Sequence, residues 1–189
     1  MTKTEYFKLL AGDDKYCNEN IFSVYNSLKN NSLIISPVRL FGENYSALNA
    51  SLKKCNRLVR YACKKRKMKE LIEYNNFIAA AGVFISKDLL VDRGFQKFIK
   101  NFRNIEDYPM WFYFITKLNC SISFQNKTYT AYRVGSGISK NKNHSKRDAY
   151  YIELKKINKL LDVKSNKYPK ILNPYFYRYL VWRIRSSIE

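Results

Sequence analysis

"MWFYFITKLNCSISFQNKTYTAYRVG", from Met110 to Gly135, is the stretch whose reading decides the fold. Three runs within it, "MWFYFITKL", "CSISFQ" and "KTYTAYRVG", are rich in aromatic and β-branched residues and are expected to be strands. Gln125-Asn126-Lys127 has the composition of a hairpin turn between the last two. Upstream, "RGFQKFIKNFRNI" places Phe95, Phe98, Ile99, Phe102 and Ile105 at helical spacing, with Gln96, Lys97, Lys100 and Arg103 outside. Downstream, Ala149, Ile152, Ile157 and Leu160 or Leu161 mark the core side of a second helix. The expected order over 93–161 is α-β-β-β-α, with a three-stranded antiparallel sheet.

The link into that last helix, "YRVGSGISKNKNHSKRDAYYIELKKI" (132–157), carries two glycines, a basic loop and a helix start at Ser145-Lys146-Arg147-Asp148-Ala149. A helix start offers free N–H groups and a positive dipole end, which suit a phosphate. Element order and motif together resemble the double-stranded RNA-binding domain, whose last helix opens on glycines followed by S-K-K-x-A-K. Gly135 and Gly137 fall on the glycines, and Ser145, Lys146, Arg147 and Ala149 fall on the S-K-K-x-A core. Pro109 falls on the proline near the family's first strand. The resemblance implies shape-based contact with A-form RNA through Ser145, Lys146 and Arg147, and minor-groove contact through Gln96, Lys97 and Lys100. Tyr150 replaces the family's third lysine, and a second register would use Ser139-Lys140 instead. Lys140 and Lys142 add charge to the same loop.

The charge balance points the same way. The 189 residues include 35 Lys plus Arg against 15 Asp plus Glu, a formal net charge of +20. Such a surplus is self-repelling in a compact chain and suits a polyanionic partner, nucleic acid first and an anionic membrane surface second. With 46% hydrophobic residues the chain has enough apolar material to bury a core, so wholesale disorder is not expected. Lys, Asn, Ile, Tyr and Phe make up 87 of the 189 residues, a bias toward A/T-rich codons that fits an organellar, viral or AT-rich microbial gene.

The densest charge lies in "SLKKCNRLVRYACKKRKMKE" (51–70). Leu48, Leu52, Cys55, Val59, Ala62 and Cys63 recur at three- and four-residue steps, the apolar stripe of a helix. Between them stand Lys53, Lys54, Arg57, Arg60, Lys64, Lys65, Arg66, Lys67 and Lys69, with no acid before Glu70. A merely solvated face normally mixes signs, so this one is read as a phosphate-binding face. At the carboxy end, "NPYFYRYLVWRIRSS" interleaves aromatics with Arg178, Arg183 and Arg185 on an expected helix that starts after Pro174.

The expected fold class is α+β: a helical amino-terminal region (1–92), the α-β-β-β-α module (93–161) and an aromatic-basic carboxy-terminal helix (162–189). Cys17, Cys55, Cys63 and Cys120 lack metal-ligand spacing and are expected as reduced thiols in an intracellular protein. His144 has no nucleophile or acidic cluster beside it, and no P-loop or dinucleotide-binding glycine pattern occurs. No catalytic residue, metal or cofactor is therefore expected, nor a membrane span. The functional expectation is a non-enzymatic binder of structured RNA within a ribonucleoprotein, most concretely a mitochondrial ribosomal protein contacting rRNA and neighbouring proteins. A free-standing double-stranded RNA binder, viral or cytoplasmic, is the alternative. A DNA-binding or nucleic-acid-processing protein is the third.

Overall fold

Two long extended segments lie side by side. One is β3 (Ser32–Ile35) followed by β4 (Val38–Gly42), the other β6 (Ser121–Phe124) followed by β7 (Thr130–Val134). The computed structural model describes residues 5–17, 21, 23–24, 29–42, 46–73 and 76–134, together with 149, 152, 153, 155–157 and 159. β3 pairs with β6 in parallel, with Leu33 opposite Ile122 and Ile35 opposite Phe124. β4 pairs with β7, also in parallel, from Val38 opposite Thr130 to Gly42 opposite Val134.

With β1 (Tyr6–Lys8), β2 (Lys15–Tyr16) and β5 (Val83–Ser86) these make two mixed sheets, ordered β1-β5-β3-β6 and β2-β7-β4. Both sheets combine strands from either side of residue 92. Because β1 leads into β2, and β3 into β4, the pairings form a closed circuit. It runs from β1 to β5 to β3, through Ser36-Pro37 into β4, then to β7, β2 and back to β1. Strands that switch sheets at a bend are the usual way to make such a corner.

The corner is stitched by a 3-10 turn, Ala80–Gly82, just before β5. The Ser36 N–H and hydroxyl both donate to the Gly82 carbonyl, at 2.8 and 3.0 Å. A Cβ on Gly82 would stand 2.3 Å from the Ser36 oxygen, so only glycine permits this approach. The Thr130 hydroxyl and the Lys8 ammonium both donate to the Ala81 carbonyl, joining β7 and β1 to the same turn.

Burial on both faces explains why β3 and β5 read as unbroken apolar runs. Leu33, Ile35, Val83 and Ile85 face the main core, while Ile34 and Phe84 face a smaller cluster with Ile21, Val24 and Tyr129. The main core is closed by α1 (Ser46–Lys65), α2 (Met68–Ile72), α3 (Lys87–Val91), α4 (Arg93–Ile99) and α5 (Asp107–Thr116), with Ile157 buried beside them. Each large side chain so buried contributes about 2–3 kcal/mol.

Several expectations are met. α1 follows the apolar stripe, with Val59 and Ala62 buried and Leu52, Cys55 and Cys63 half-buried. α4 buries Phe95 and exposes Gln96 and Lys97, with Lys100 exposed just after it, and Asp92 caps its start by accepting from the Phe95 N–H at 2.7 Å. The described residues between 149 and 159 are helical. Cys17, Cys63 and Cys120 are free thiols, and burial pushes those of Cys63 and Cys120 up to about 11 and about 12.

Others are corrected. "MWFYFITKL" is not a strand: its first seven residues belong to α5, which buries Tyr108, Pro109, Met110, Trp111, Phe112, Phe114 and Ile115. A helix surrounded by core needs no polar face, so its sequence loses the 3.6-residue period and keeps only its aromatic, strand-like composition. Pro109 lies in the first turn of this helix, where the missing N–H costs nothing. Gln125-Asn126-Lys127 closes no hairpin, because β6 and β7 pair with β3 and β4 in different sheets. From 93 to 134 the order is α-α-β-β, and the three-stranded antiparallel sheet is replaced by the two mixed sheets. The region 1–92 is not simply helical: it carries five strands, one of them β1 within "TEYFKLLA". The carboxy-terminal helix of 162–189 lies outside the described residues.

Candidate nucleic-acid interface

Among the described residues, the strongest concentration of unneutralised charge is the outer face of α1. At 100° per residue, Arg60, Lys53, Lys64, Arg57, Tyr61, Lys54 and Lys65 succeed one another around an arc of about 140°, and every one of them is exposed. The opposite arc holds Cys55, Leu58, Val59, Ala62 and Cys63, which pack on the core, and the half-buried Leu52. From Lys53 to Lys65 the cations span roughly 18 Å of helix axis. That is about five phosphates of one strand at B-DNA spacing.

The helix ends in a way that extends this face. The Arg66 N–H donates to the Cys63 carbonyl at 3.3 Å and the Lys67 N–H to the Ala62 carbonyl at 2.9 Å, the two bonds of a Schellman turn. Arg66 takes the left-handed position with φ of 54°, a place that normally goes to glycine. Lys64, Lys65 and Arg66 thus gather at the negative end of the helix dipole, which offsets part of their mutual repulsion.

Only one of the predicted cations here is neutralised. Lys67 and Glu70 form a salt bridge, 2.6 Å long and exposed on both sides. The hydrogen bond to Glu70 raises the Lys67 pKa. Arg60 is steadied differently, its guanidinium lying 5.4 Å from the ring centre of Phe124 on β6.

The remaining predicted residues fall elsewhere. Gln96, Lys97 and Lys100 are exposed around α4, but the Gln96 amide is engaged with the Leu90 carbonyl. Lys140, Lys142, Ser145, Lys146, Arg147, Arg178, Arg183 and Arg185 lie outside the described residues, as does the loop 135–148 as a whole. The structure brings together Lys53, Lys54, Arg57, Arg60, Lys64, Lys65, Arg66 and Lys67, one helix and its closing turn.

Two charged sites were not visible in the sequence. The Lys8 ammonium is drawn into the strand circuit, where it meets the carbonyls of Ala81 and Val83 and lies 4.5 Å from the centre of the Phe84 ring. Burial lowers its pKa to about 8, against an opposing pull from Asp14. Nearby, Asp14 accepts from the Arg133 N–H at 2.9 Å, and burial raises its pKa. Asp107 accepts from the Asn76 amide at 3.0 Å and the Tyr108 N–H at 2.8 Å, and burial raises its pKa too. The Tyr132 hydroxyl is raised by burial first, then by Asp14, Asp13 and Asp107. The Asp14–Arg133 and Asn76–Asp107 bonds each join distant segments of the chain. Among the described residues no group of three or more His, Cys, Asp or Glu side chains is placed to hold a metal ion.

The other site is Glu153. Its carboxylate, 8% exposed, accepts the N–H groups of Arg103, Asn104 and Ile105 at 2.8, 2.8 and 2.9 Å, and the Asn104 amide at 2.9 Å. Burial works to raise its pKa, but these bonds outweigh it and the net shift is downward. Lys156 adds a 3.0 Å bond to the Asn101 carbonyl. The loop between α4 and α5 is thereby clamped to the helical residues that follow.

Family models, curated proteins and solved structures give no match to this chain. Among the described residues no helix is long and apolar enough to cross a membrane.

Proposed function

We propose that the chain is a non-enzymatic RNA-binding protein, working as a structural component of an RNA–protein assembly. The mitochondrial ribosome, with rRNA as the partner, is the most concrete setting, on the strength of the A/T-rich codon bias. The observation that carries the reading is the outer arc of α1. Lys53, Lys54, Arg57, Arg60, Lys64 and Lys65 share one exposed face, and the nearest acid of the helix region, Glu70, is taken by Lys67. A folded chain gains nothing from crowding these charges. A phosphate backbone supplies the missing counter-charge and releases its own bound cations as it docks.

The reading does not depend on a double-stranded RNA-binding fold. It requires only a rigid helix held by the core along one side and free along the other. The test is a salt titration of the intact protein against duplex RNA, duplex DNA and single-stranded RNA. A steep fall of affinity with salt, with RNA held more tightly than DNA, is the expected result. Tight binding to any long RNA duplex at physiological salt would instead identify a free-standing duplex binder. Binding to DNA alone, or cleavage of either nucleic acid with a divalent cation, would overturn the proposal.

A further inference from the structure

The basic arc of α1 contains one residue that charge alone does not explain. Tyr61 lies within it, with Arg57 one turn before, Lys65 one turn after and Lys64 three residues on. Its side chain is 52% exposed. Elsewhere the fold spends its aromatics on the core: Trp111 and Phe84 are fully buried and Tyr108 is 2% exposed. Among the described residues only Tyr16 and Tyr61 are exposed large aromatics. A ring in water, surrounded by cations, stabilises the free protein little.

Resting on the RNA-binding reading above, we infer that this face takes unpaired bases rather than a continuous duplex. Tyr61 stacks on one base, while Arg57, Lys64 and Lys65 hold the phosphates on either side of it. A duplex offers phosphates to such a face but keeps its base planes stacked on each other, leaving the ring without a partner. A loop, bulge or single-stranded segment offers both. Cationic side chains flanking an aromatic ring are the arrangement that binds single strands with little sequence preference, each stacked base contributing appreciably. The hydroxyl is not required, because the stacking surface is the ring.

The experiment compares the intact protein with Tyr61→Ala and Tyr61→Phe, against a short oligouridylate and a blunt RNA duplex of the same length. Melting temperatures of the three proteins are expected to agree, since the residue is at the surface. Tyr61→Ala is expected to weaken oligouridylate binding on the order of tenfold and to leave duplex binding within about twofold, while Tyr61→Phe retains both. Photocrosslinking of a 5-iodouridine oligomer is expected to map to Tyr61. Equal binding of both RNAs by the wild type with no effect of Tyr61→Ala would overturn this inference and leave the RNA-binding reading standing. Binding of neither RNA, or of phosphatidylserine vesicles in their place, would overturn both.

Discussion

The strand circuit and the outer face of α1 handle positive charge in opposite ways. Lys8 is given two carbonyls, an aromatic face and a nearby carboxylate, and it ties three elements together. Lys53, Lys54, Lys64 and Lys65 are left in water, a turn or less from the next cation. A charge that the fold encloses is committed to the fold, at a cost in the case of Lys8, whose pKa burial lowers. A charge that it leaves unanswered is available to a ligand. If this contrast is right, substitutions in the two regions should move different observables.

The sharpest test reverses charge on the arc. Lys53→Glu, Arg57→Glu and Lys64→Glu together are expected to lower RNA affinity on the order of a hundredfold and flatten its salt dependence. Folding stability, read from urea unfolding, should stay within about 1 kcal/mol of the wild type. A large loss of stability would erase the contrast.

Glu153→Ala should do the converse. It strips the acceptor from three consecutive N–H groups and is expected to cost about 2–3 kcal/mol of stability in the same unfolding assay, with RNA contacts on α1 intact. Glu153 also sets an acid limit. Its folded pKa lies below the ordinary value of 4.5, so its contribution is complete above that value and is lost as pH falls through the folded pKa. A wild-type stability curve that drops in this window, beside a flatter one for Glu153→Gln, is the expected result.

Lys8 acts at the opposite, alkaline end of the range. The folded chain releases this proton near 8, whereas the unfolded chain keeps it to the ordinary 10.5. Between those values unfolding takes up a proton, so raising the pH should stabilise the wild type relative to Lys8→Met, by up to about 1.4 kcal/mol per pH unit. RNA affinity should not change.

The mildest test crosses the boundary between the regions. Arg66 combines an exposed cation of the proposed interface with a strained left-handed backbone. Arg66→Gly should raise stability by about 1 kcal/mol while weakening RNA binding and reducing the salt slope by about one unit. A gain in stability with unchanged binding would place Arg66 outside the interface.

How much of this could be read from the residues depended on whether the reason for a feature was local. α1 was legible because one side is core and the other solvent, which writes a 3.6-residue period. α5 was not, because core on every side removes the period and leaves aromatic residues that strands also favour. The parallel pairing of β6 and β7 was hidden for a different reason. Short links between neighbouring strands favour hairpins, and nothing in residues 121–134 names a partner some ninety positions earlier. Lys8 and Glu153 look like other surface charges until tertiary contact supplies their acceptors and donors. The exposed cationic face of α1 was legible, but Tyr61 became notable only once its exposure was known.

The strand circuit also orders events in time. Its closing bonds reach far along the chain, as between Asp14 and Arg133, which stand 119 positions apart. During synthesis Leu33-Ile34-Ile35, apolar on both faces, must wait for β6 before its second edge is paired, and an unpaired apolar edge invites association. The hydrogen bonds of α1, by contrast, are complete once residue 67 has been made. A growing chain therefore contains every residue of its cationic helix before its strands are enclosed, and the like charge of such segments opposes association between incomplete copies.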